Sequence, residues 1–269
     1  MRKDSMTGSL ILAAGRGTRM KGYEGNKTLL PLVPDKAPFE GRRPILMHIL
    51  QNLPPGPKAV VVHHKKEAVI EATRSLGLSY YEQAVLSGTG GALLAARHFL
   101  ELETYDQLLI TMGDIPLVKP VTYRNLMEAL KSSSLAVLGF QPADKKQYGV
   151  LEFDGPRVKR IVEWKYWRSF PAEARETLQI CNSGIYAARK SDLVDYLPIL
   201  EERPHSVLKE KNGKPVQINE FFITDLVELM YQDGVEVGCV LAHDENEVMG
   251  VDDLPSLIRV QKLFQEAGS

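Results

Sequence analysis

The chain has 269 residues, long for one small domain and short for two large ones, so one α/β domain with an elaborated lobe is expected. Its 33 Lys plus Arg nearly cancel 34 Asp plus Glu, and the formal net charge of -1 excludes bulk attraction to nucleic acid or an anionic membrane. With 44% hydrophobic and 25% charged residues the composition is ordinary for a globular protein, and any phosphate bound here must be held by locally placed groups.

Along the chain, MRKDSMTGS at the N-terminus is polar, and too few apolar residues follow it for a signal-peptide core or a membrane span. No other stretch approaches spanning length, and a soluble, cytoplasmic protein is expected. SLILAA (9–14), KAVVVHH (58–64), LSYYE (78–82), QLLITM (107–112) and SLAVLGF (134–140) read as strands, mostly continuous apolar runs without alternation. Such runs suit strands covered on both faces, as in a parallel sheet. Between them PILMHILQNL (44–53), KEAVIEATRSLG (66–77), GALLAARHFLELE (91–103) and TYRNLMEALKSS (122–133) carry helical spacing. The alternation implies an α/β fold: a three-layer α/β/α sandwich around a Rossmann-like, mostly parallel sheet.

After residue 140 the rhythm changes. YGVLEFDGPRVKRIVEW (148–164) reads as two strands joined at Asp154-Gly155-Pro156, a small antiparallel flap. NSGIYAA (182–188) follows as a strand, SDLVDYLPIL as a helix capped by Ser191, FFITDLVELMYQDG as a helix ending at Gly234, VEVGCVLA as a strand, and DLPSLIRVQKLFQEAG as a closing amphipathic helix. KEKNGKPVQ (209–217) is expected to be a loop. Cys181 and Cys239 form no CxxC arrangement; one disulfide is open to them, and two buried, reduced thiols are the ordinary reading.

The first strand delivers the chain into Gly15-Arg16-Gly17-Thr18-Arg19-Met20, where glycines let the backbone turn and approach a ligand. A dinucleotide fingerprint needs a third glycine where Met20 stands, and the Walker pattern is absent. Backbone donors followed by Arg19 and Lys27 suit a triphosphate; a plain strand-to-helix turn with solvated basic residues fits the loop equally simply. GDIPL places Asp114 beyond the carboxyl end of a buried strand, where open α/β sheets put their ligands. Of Asp252 and Asp253, one is expected to cap the last helix, leaving the other free. Two carboxylates from separate loops make an oxygen site suited to Mg²⁺. His63-His64 has no partner at metal-ligand spacing, and no catalytic role is expected of it.

LAAGRGTRM, Lys27, QAVLSGTGGA, GDIPL, YG, IVEWK, NSGIY, FFITDLV and EVMGVDD stand in an order and spacing that resemble the sugar-1-phosphate nucleotidyltransferases. The similarity is greatest to the uridylyltransferase domain of the bifunctional N-acetylglucosamine-1-phosphate enzymes and covers about residues 8–265. The resemblance implies the nucleotide-diphospho-sugar transferase fold over residues 1–269, with a nucleotide half at about 8–140 and a sugar half with the C-terminal helix at about 141–269. It places Leu12, Ala13, Ala14 and Gly15 along the nucleotide, Gln83, Gly88 and Thr89 on the uracil, and Met112, Gly113 and Asp114 at the ribose and metal. Gly149, Glu163 and Asn182 would hold the amino sugar, Asp114 and Asp252 the Mg²⁺, and Arg19 and Lys27 the pyrophosphate side.

The implied reaction is Mg-dependent in-line attack of a sugar 1-phosphate, N-acetylglucosamine 1-phosphate by resemblance, on the α-phosphorus of a nucleoside triphosphate, UTP by resemblance. No general base is required, because a phosphate nucleophile is already ionised. No nucleic-acid or membrane partner is implied, and the assembly is expected to be a monomer or small homo-oligomer. Departures from the family pattern are Asp252 in place of asparagine, Val150 where YGR is usual, a longer segment at 33–44, and one extra residue between Met20 and Lys27. The left-handed β-helix of the bifunctional enzymes is missing from this sequence, so neither acetyl transfer nor trimerisation through it is expected. Cytidylyl or guanylyl transfer to another phosphorylated acceptor is an alternative within the fold, although the EKP block of the thymidylyl and glucose branches is absent. A non-catalytic nucleotide-sugar sensor is the alternative outside it, opposed by the joint presence of Arg19, Lys27, Asp114 and Asp252.

Overall fold

The computed structural model describes residues 6–102, 104–211 and 214–267; expectations touching residues 1–5, Glu103, Asn212, Gly213, Gly268 and Ser269 lie outside the described residues. In chain order the first part comprises β1 (Thr7–Leu12), β2 (Pro31–Pro34), β3 (Gly41–Pro44), α1 (Ile45–Asn52), β4 (Lys58–Val62), α2 (Lys66–Thr73), β5 (Ser79–Glu82), α3 (Gly88–Ala95), α4 (Arg97–Leu100), β6 (Gln107–Met112), α5 (Pro120–Ala129) and β7 (Leu135–Phe140). The second comprises β8 (Val150–Asp154), β9 (Arg157–Val162), α6 (Trp164–Trp167), α7 (Ala172–Thr177), β10 (Cys181–Arg189), α8 (Lys190–Glu201), β11 (His205–Lys211), β12 (Lys214–Glu220), α9 (Ile223–Gln232), β13 (Val237–Leu241) and α10 (Leu254–Ala267).

The main sheet runs β13-β7-β10-β6-β1-β4-β5, with β8 and β9 attached through β10. Along that seven-strand path the pairings are parallel except at β10, which is antiparallel to both β6 and β7. The mostly parallel α/β sandwich read from the sequence is therefore the fold, with β8–β9 as its antiparallel flap. Alternate residues of one strand enter opposite cores, which is why the runs are continuously apolar. Ile11, Val60, Val62 and Leu109 face one core; Leu10, Leu12, Val61, Leu108 and Ile110 face the other. Each fully buried Leu, Ile or Val contributes about 1.5–3 kcal/mol, so these central strands form the rigid floor on which the loops at their carboxyl ends stand.

Four features differ from the sequence reading. Residues 209–217 are not simply a loop: β11 and β12 pair antiparallel from His205↔Glu220 to Lys211↔Lys214. Backbone pairing is indifferent to the polar side chains that made this stretch look irregular. Ser191 is not the cap of its helix: α8 begins at Lys190, and the Ser191 hydroxyl donates to Asp192 instead. The Lys190 N–H donates to Asp106 O (2.9 Å), so a neighbouring loop serves in place of a capping side chain. Cys181 and Cys239 are free, as expected, but only Cys181 is buried; Cys239 lies on edge strand β13 and is partly exposed. Burial pushes the Cys181 thiol up to about 12, so it stays protonated. Finally, the longer 33–44 segment forms part of a separate two-stranded sheet, β2–β3, tied to α10 by Gln261 Nε2 donating to Pro31 O and Pro38 O, both at 2.8 Å.

Candidate active site

β1 hands the chain to Ala13 and Ala14, both buried, and Ala13 N–H extends the sheet by donating to Val61 O (2.9 Å). The glycine loop turns at Gly17, whose φ of +63° is the left-handed conformation glycine adopts without strain. Met20, only 3% exposed, roots the loop's far end in the core. The next turn is organised by buried Asn26, whose Oδ1 accepts from Thr28 N (3.0 Å) and Thr28 Oγ1 (2.8 Å) while its Nδ2 donates to His64 O (2.7 Å). This fixes Lys27 so that its stem packs over Gly15 and Gly17, where a Cβ would meet it at ordinary contact distances of 3.9 and 3.5 Å.

The Lys27 ammonium donates to Asp114 Oδ2 and lies 3.3 Å from Asp252 Oδ1, while Arg19 Nη2 is 2.8 Å from the same Asp252 oxygen. Four residues from positions 19 to 252 of the sequence thus form one chain of alternating charge. Burial pulls the Lys27 pKa down, but the facing Asp114 and Asp252 outweigh it and hold it above the ordinary lysine value. Lys27 and Asp114 are the sheltered members at 13% and 15% side-chain exposure, and Arg19 at 70% is the adaptable one. The two carboxylate loops are tied directly, since Val251 N–H donates to Asp114 O (2.9 Å). Asp253 is the helix cap, accepting from Ser256 N (2.9 Å), which leaves the Asp252 carboxylate to the charge chain. Gly113, between Met112 and Asp114, donates its N–H to Leu12 O (2.9 Å), and a Cβ there would lie 3.0 Å from Ala13.

A cavity of about 1010 Å³ leads from Arg19, Asp114 and Asp252 past Met112 and Asn182 to Glu163. Strand β10 bulges between Asn182 and Tyr186, with Gly184 at φ +81°, which turns Asn182 toward the cavity. Asn182 is held three ways: its N–H donates to Gly149 O (2.8 Å), its Oδ1 accepts from Gly184 N (3.1 Å), and its Nδ2 donates to Tyr186 Oη (2.9 Å). A Cβ added at Gly149 would press on Ile161 Cγ2 at 3.1 Å and lie in ordinary contact with Glu163 Oε2 at 3.5 Å. Glu163 has its carboxyl pKa raised by burial and, to a lesser extent, by Asp225, with a long hydrogen bond from Thr224 (3.4 Å) and the Lys165 charge acting the other way.

Gly88 and Thr89 open α3, and Gln83 directly follows β5. Gln83 is 5% exposed, and its Nε2 donates to Gly88 O (2.9 Å); Thr89 lines the large cavity and accepts from Ile223 N (3.2 Å). Gly88 stands at φ +84° with Phe221 O where a side chain would begin, so this turn is clipped to the entry of α9. Leu12, Ala13 and Ala14 have buried side chains and offer only backbone. The large cavity therefore joins Arg19, Thr89, Met112, Asp114, Glu163, Asn182 and Asp252, whereas Leu12 to Gly15, Lys27, Gln83, Gly88, Gly113 and Gly149 stand behind or beside its lining. Sequence reasoning missed Tyr186, Thr224 and the pair His205–Asp225, which also line it. The NSGIY and FFITDLV blocks contain three of these, but only the bulge and the α9 entry reveal what they touch.

Among the described residues no group of three or more His, Cys, Asp or Glu could hold a metal alone, and no helix is long and apolar enough to cross a membrane. Residues 9–202 match the MobA-like NTP transferase domain. The chain is 30% identical over 262 residues to the bifunctional protein GlmU of Alcanivorax borkumensis, covering 96% of this chain and 52% of that protein. It thus spans about half the length of the curated relatives it matches. In structure it is similar to the uridine diphosphate N-acetylglucosamine pyrophosphorylase of Trypanosoma brucei, with a TM-score of 0.73 at 14% identity over 95% of this chain and 65% of that one. It is also similar to a candidate glucose-1-phosphate thymidylyltransferase of Bacillus anthracis, with a TM-score of 0.68 at 19% identity over 97% and 96%. With the family model matching residues 9–202, well over half of its length, the chain belongs to the MobA-like NTP transferase domain family.

Proposed function

We propose that this chain joins a nucleoside triphosphate, UTP in the first instance, to a sugar 1-phosphate, N-acetylglucosamine 1-phosphate in the first instance, releasing pyrophosphate. The observation that carries this reading is the charge chain Arg19–Asp252–Lys27–Asp114 at the head of a cavity whose far end is polar and lined by Asn182 and Glu163. A sensor of nucleotide sugars needs the polar end, whereas the sheltered ammonium between two carboxylates serves bond cleavage.

In this reading the glycine loop and the backbone of Leu12 to Gly15 lie along the nucleotide, and Gln83, Gly88 and Thr89 face its base. Asn182, Gly149 and Glu163 hold the sugar so that its phosphate oxygen stands in line with the α-phosphorus. Holding the two reactants in that geometry removes most of the entropic cost of their encounter. Lys27 and Arg19 take up negative charge as pyrophosphate leaves, and no side chain has to accept a proton.

Asp114 and Asp252 fit Mg²⁺, a hard cation that takes one or two carboxylates and completes its shell with water and phosphate oxygens. When bound there it neutralises phosphate charge and orients the oxygens around the reacting phosphorus. Because Lys27 stands between both carboxylates, its ammonium would have to turn toward the bound triphosphate for Asp114 and Asp252 to hold the metal. The nucleotide half at about 8–140 and the sugar half at about 141–269 would act as one domain, as a monomer or small homo-oligomer in the cytoplasm, without nucleic-acid or membrane partners.

The test is pyrophosphate release from a panel of four nucleoside triphosphates against several sugar 1-phosphates, with and without Mg²⁺. Release with UTP and an amino-sugar phosphate, abolished by chelation, is expected. Release only with CTP or GTP would move the assignment within the fold, and no release with any pair would replace it with the sensor.

A further inference from the structure

The cavity does not end at Glu163. Beyond Thr224 it is closed by His205 from β11 and by Phe222 and Asp225 at the entry of α9, none of which belongs to the charge chain or to the Asn182 cluster. His205 Nε2 lies 2.9 Å from Asp225 Oδ2, and its ring packs on Phe222 with centroids 5.2 Å apart. An ionised carboxylate only accepts, so Asp225 fixes the proton on Nε2, and in the neutral ring Nδ1 is left as an acceptor. Among the described residues Nδ1 makes no hydrogen bond. The imidazole is oriented by one carboxylate and braced by one aromatic ring, and with the side chain 40% exposed its second nitrogen is left to solvent or a ligand.

The surrounding charges define what that nitrogen can meet. Glu163, Asp225 and Glu228 are carboxylates on this end of the lining. Of the cations there, Arg160 is taken up by Glu152 at 2.8 Å and approaches Glu228 at 4.0 Å, and the Lys165 ammonium lies 4.7 Å from the Tyr166 ring centroid. A carboxylate or a second phosphate on the acceptor would meet mainly negative charge, whereas a hydroxyl could donate to Nδ1.

We propose that His205, oriented by Asp225, is a specificity-determining residue that accepts a hydrogen bond from a hydroxyl on the uncharged end of the acceptor sugar. This rests on the reading that the cavity takes a sugar 1-phosphate. The acceptor class is a neutral, hydroxyl-bearing hexosyl phosphate, and an acceptor with an added carboxylate is disfavoured. Because β11 and β12 are the hairpin that brings His205 to the cavity, acceptor choice depends on a segment outside the phosphate machinery.

The experiment compares wild type, His205→Ala and His205→Asn, using UTP with N-acetylglucosamine 1-phosphate, its monodeoxy analogues and glucuronic acid 1-phosphate. Binding of UDP-N-acetylglucosamine and of UTP is measured calorimetrically in parallel. Losing one neutral hydrogen bond should raise the acceptor KM and the nucleotide-sugar Kd roughly three- to tenfold in His205→Ala. The UTP Kd and kcat should stay within about twofold, and His205→Asn, whose amide can both donate to Asp225 and accept, should recover part of the loss. One deoxy analogue should carry the same penalty with wild type and none further with His205→Ala. Since His205 is 40% exposed, thermal melts should show both variants folded. Unchanged acceptor KM and nucleotide-sugar Kd, or equal added penalties for every deoxy analogue, would overturn the proposal. If wild type turned nothing over but His205→Ala still weakened nucleotide-sugar binding, the catalytic reading would fall and this one would stand; no binding of either ligand would overturn both.

Discussion

Replacing Lys27 by Met keeps the stem that packs over Gly15 and Gly17 and deletes only the ammonium. The deletion leaves Asp114, 15% exposed, facing Asp252 without the cation that joined them. Removing one partner of a buried ion pair typically costs about 3–5 kcal/mol. Asp252 is 41% exposed and keeps Arg19 at 2.8 Å, so the metal-free protein should lose somewhat less, about 2–3 kcal/mol. Turnover should fall further, by about 10²–10³, because a preorganised charge facing the departing pyrophosphate is lost. Divalent affinity in the absence of nucleotide should move the opposite way and rise, since no ammonium then competes for the two carboxylates. Urea melts with and without Mg²⁺, a calorimetric Mn²⁺ titration, and kcat with the best substrate pair read the three effects separately. Turnover within threefold of wild type together with unchanged metal-free stability would refute the reasoning, because Lys27 would then neither serve the chemistry nor hold the carboxylates.

Glu163→Gln should weaken the acceptor about tenfold or more, measured as KM, since a charged acceptor of hydrogen bonds is replaced by a neutral one. It should also stabilise the protein at neutral pH. Burial raises the Glu163 pKa, so the wild-type contribution is fully present below the ordinary glutamate pKa and is lost as pH rises through the raised value; urea melts should show the variant ahead at pH 7 and the gap closing toward pH 4. A gap that widened in acid would contradict the sign. Tyr186→Phe removes the partner of Asn182 Nδ2 and should raise acceptor KM roughly three- to tenfold while leaving the UTP KM alone; equal effects on both would mean a general loosening instead. Gly88→Ala forces a side chain into a left-handed backbone against Phe221 O and should cost about 2–5 kcal/mol by urea denaturation; a loss below 1 kcal/mol would show that the clip between α3 and α9 yields easily.

The parallel strands were legible because burial on both faces forces Val, Ile and Leu at consecutive positions, as in LLIT and VVV. The reversal of β10 was not, since strand direction depends on which neighbour it pairs with and leaves no mark in NSGIYAA. The hairpin β11–β12 escaped for a related reason: its pairing is made by backbone, and its Lys-rich composition reads as solvent-exposed coil. Among the site residues, Arg19, Lys27, Asp114 and Asp252 were found through ordered sequence blocks, and the structure brings these four into contact. Spacing alone left Asp252 and Asp253 equally fit to cap the last helix; the resemblance picked Asp252 for the site, and Asp253 is the cap. His205 was invisible because its partner Asp225 is 20 residues away, across a hairpin that the sequence concealed.

The central claim is that these four residues and the polar cavity beside them make a nucleoside-diphosphate sugar. Phosphorus-31 NMR of chelator-treated protein with UTP and N-acetylglucosamine 1-phosphate, before and after Mg²⁺ is restored, tests it most directly. The account predicts no change without metal, then equal growth of pyrophosphate and UDP-sugar resonances after Mg²⁺ addition, and neither with Asp114→Ala. Equal product formation by Asp114→Ala, or phosphate released without a sugar nucleotide, would contradict it.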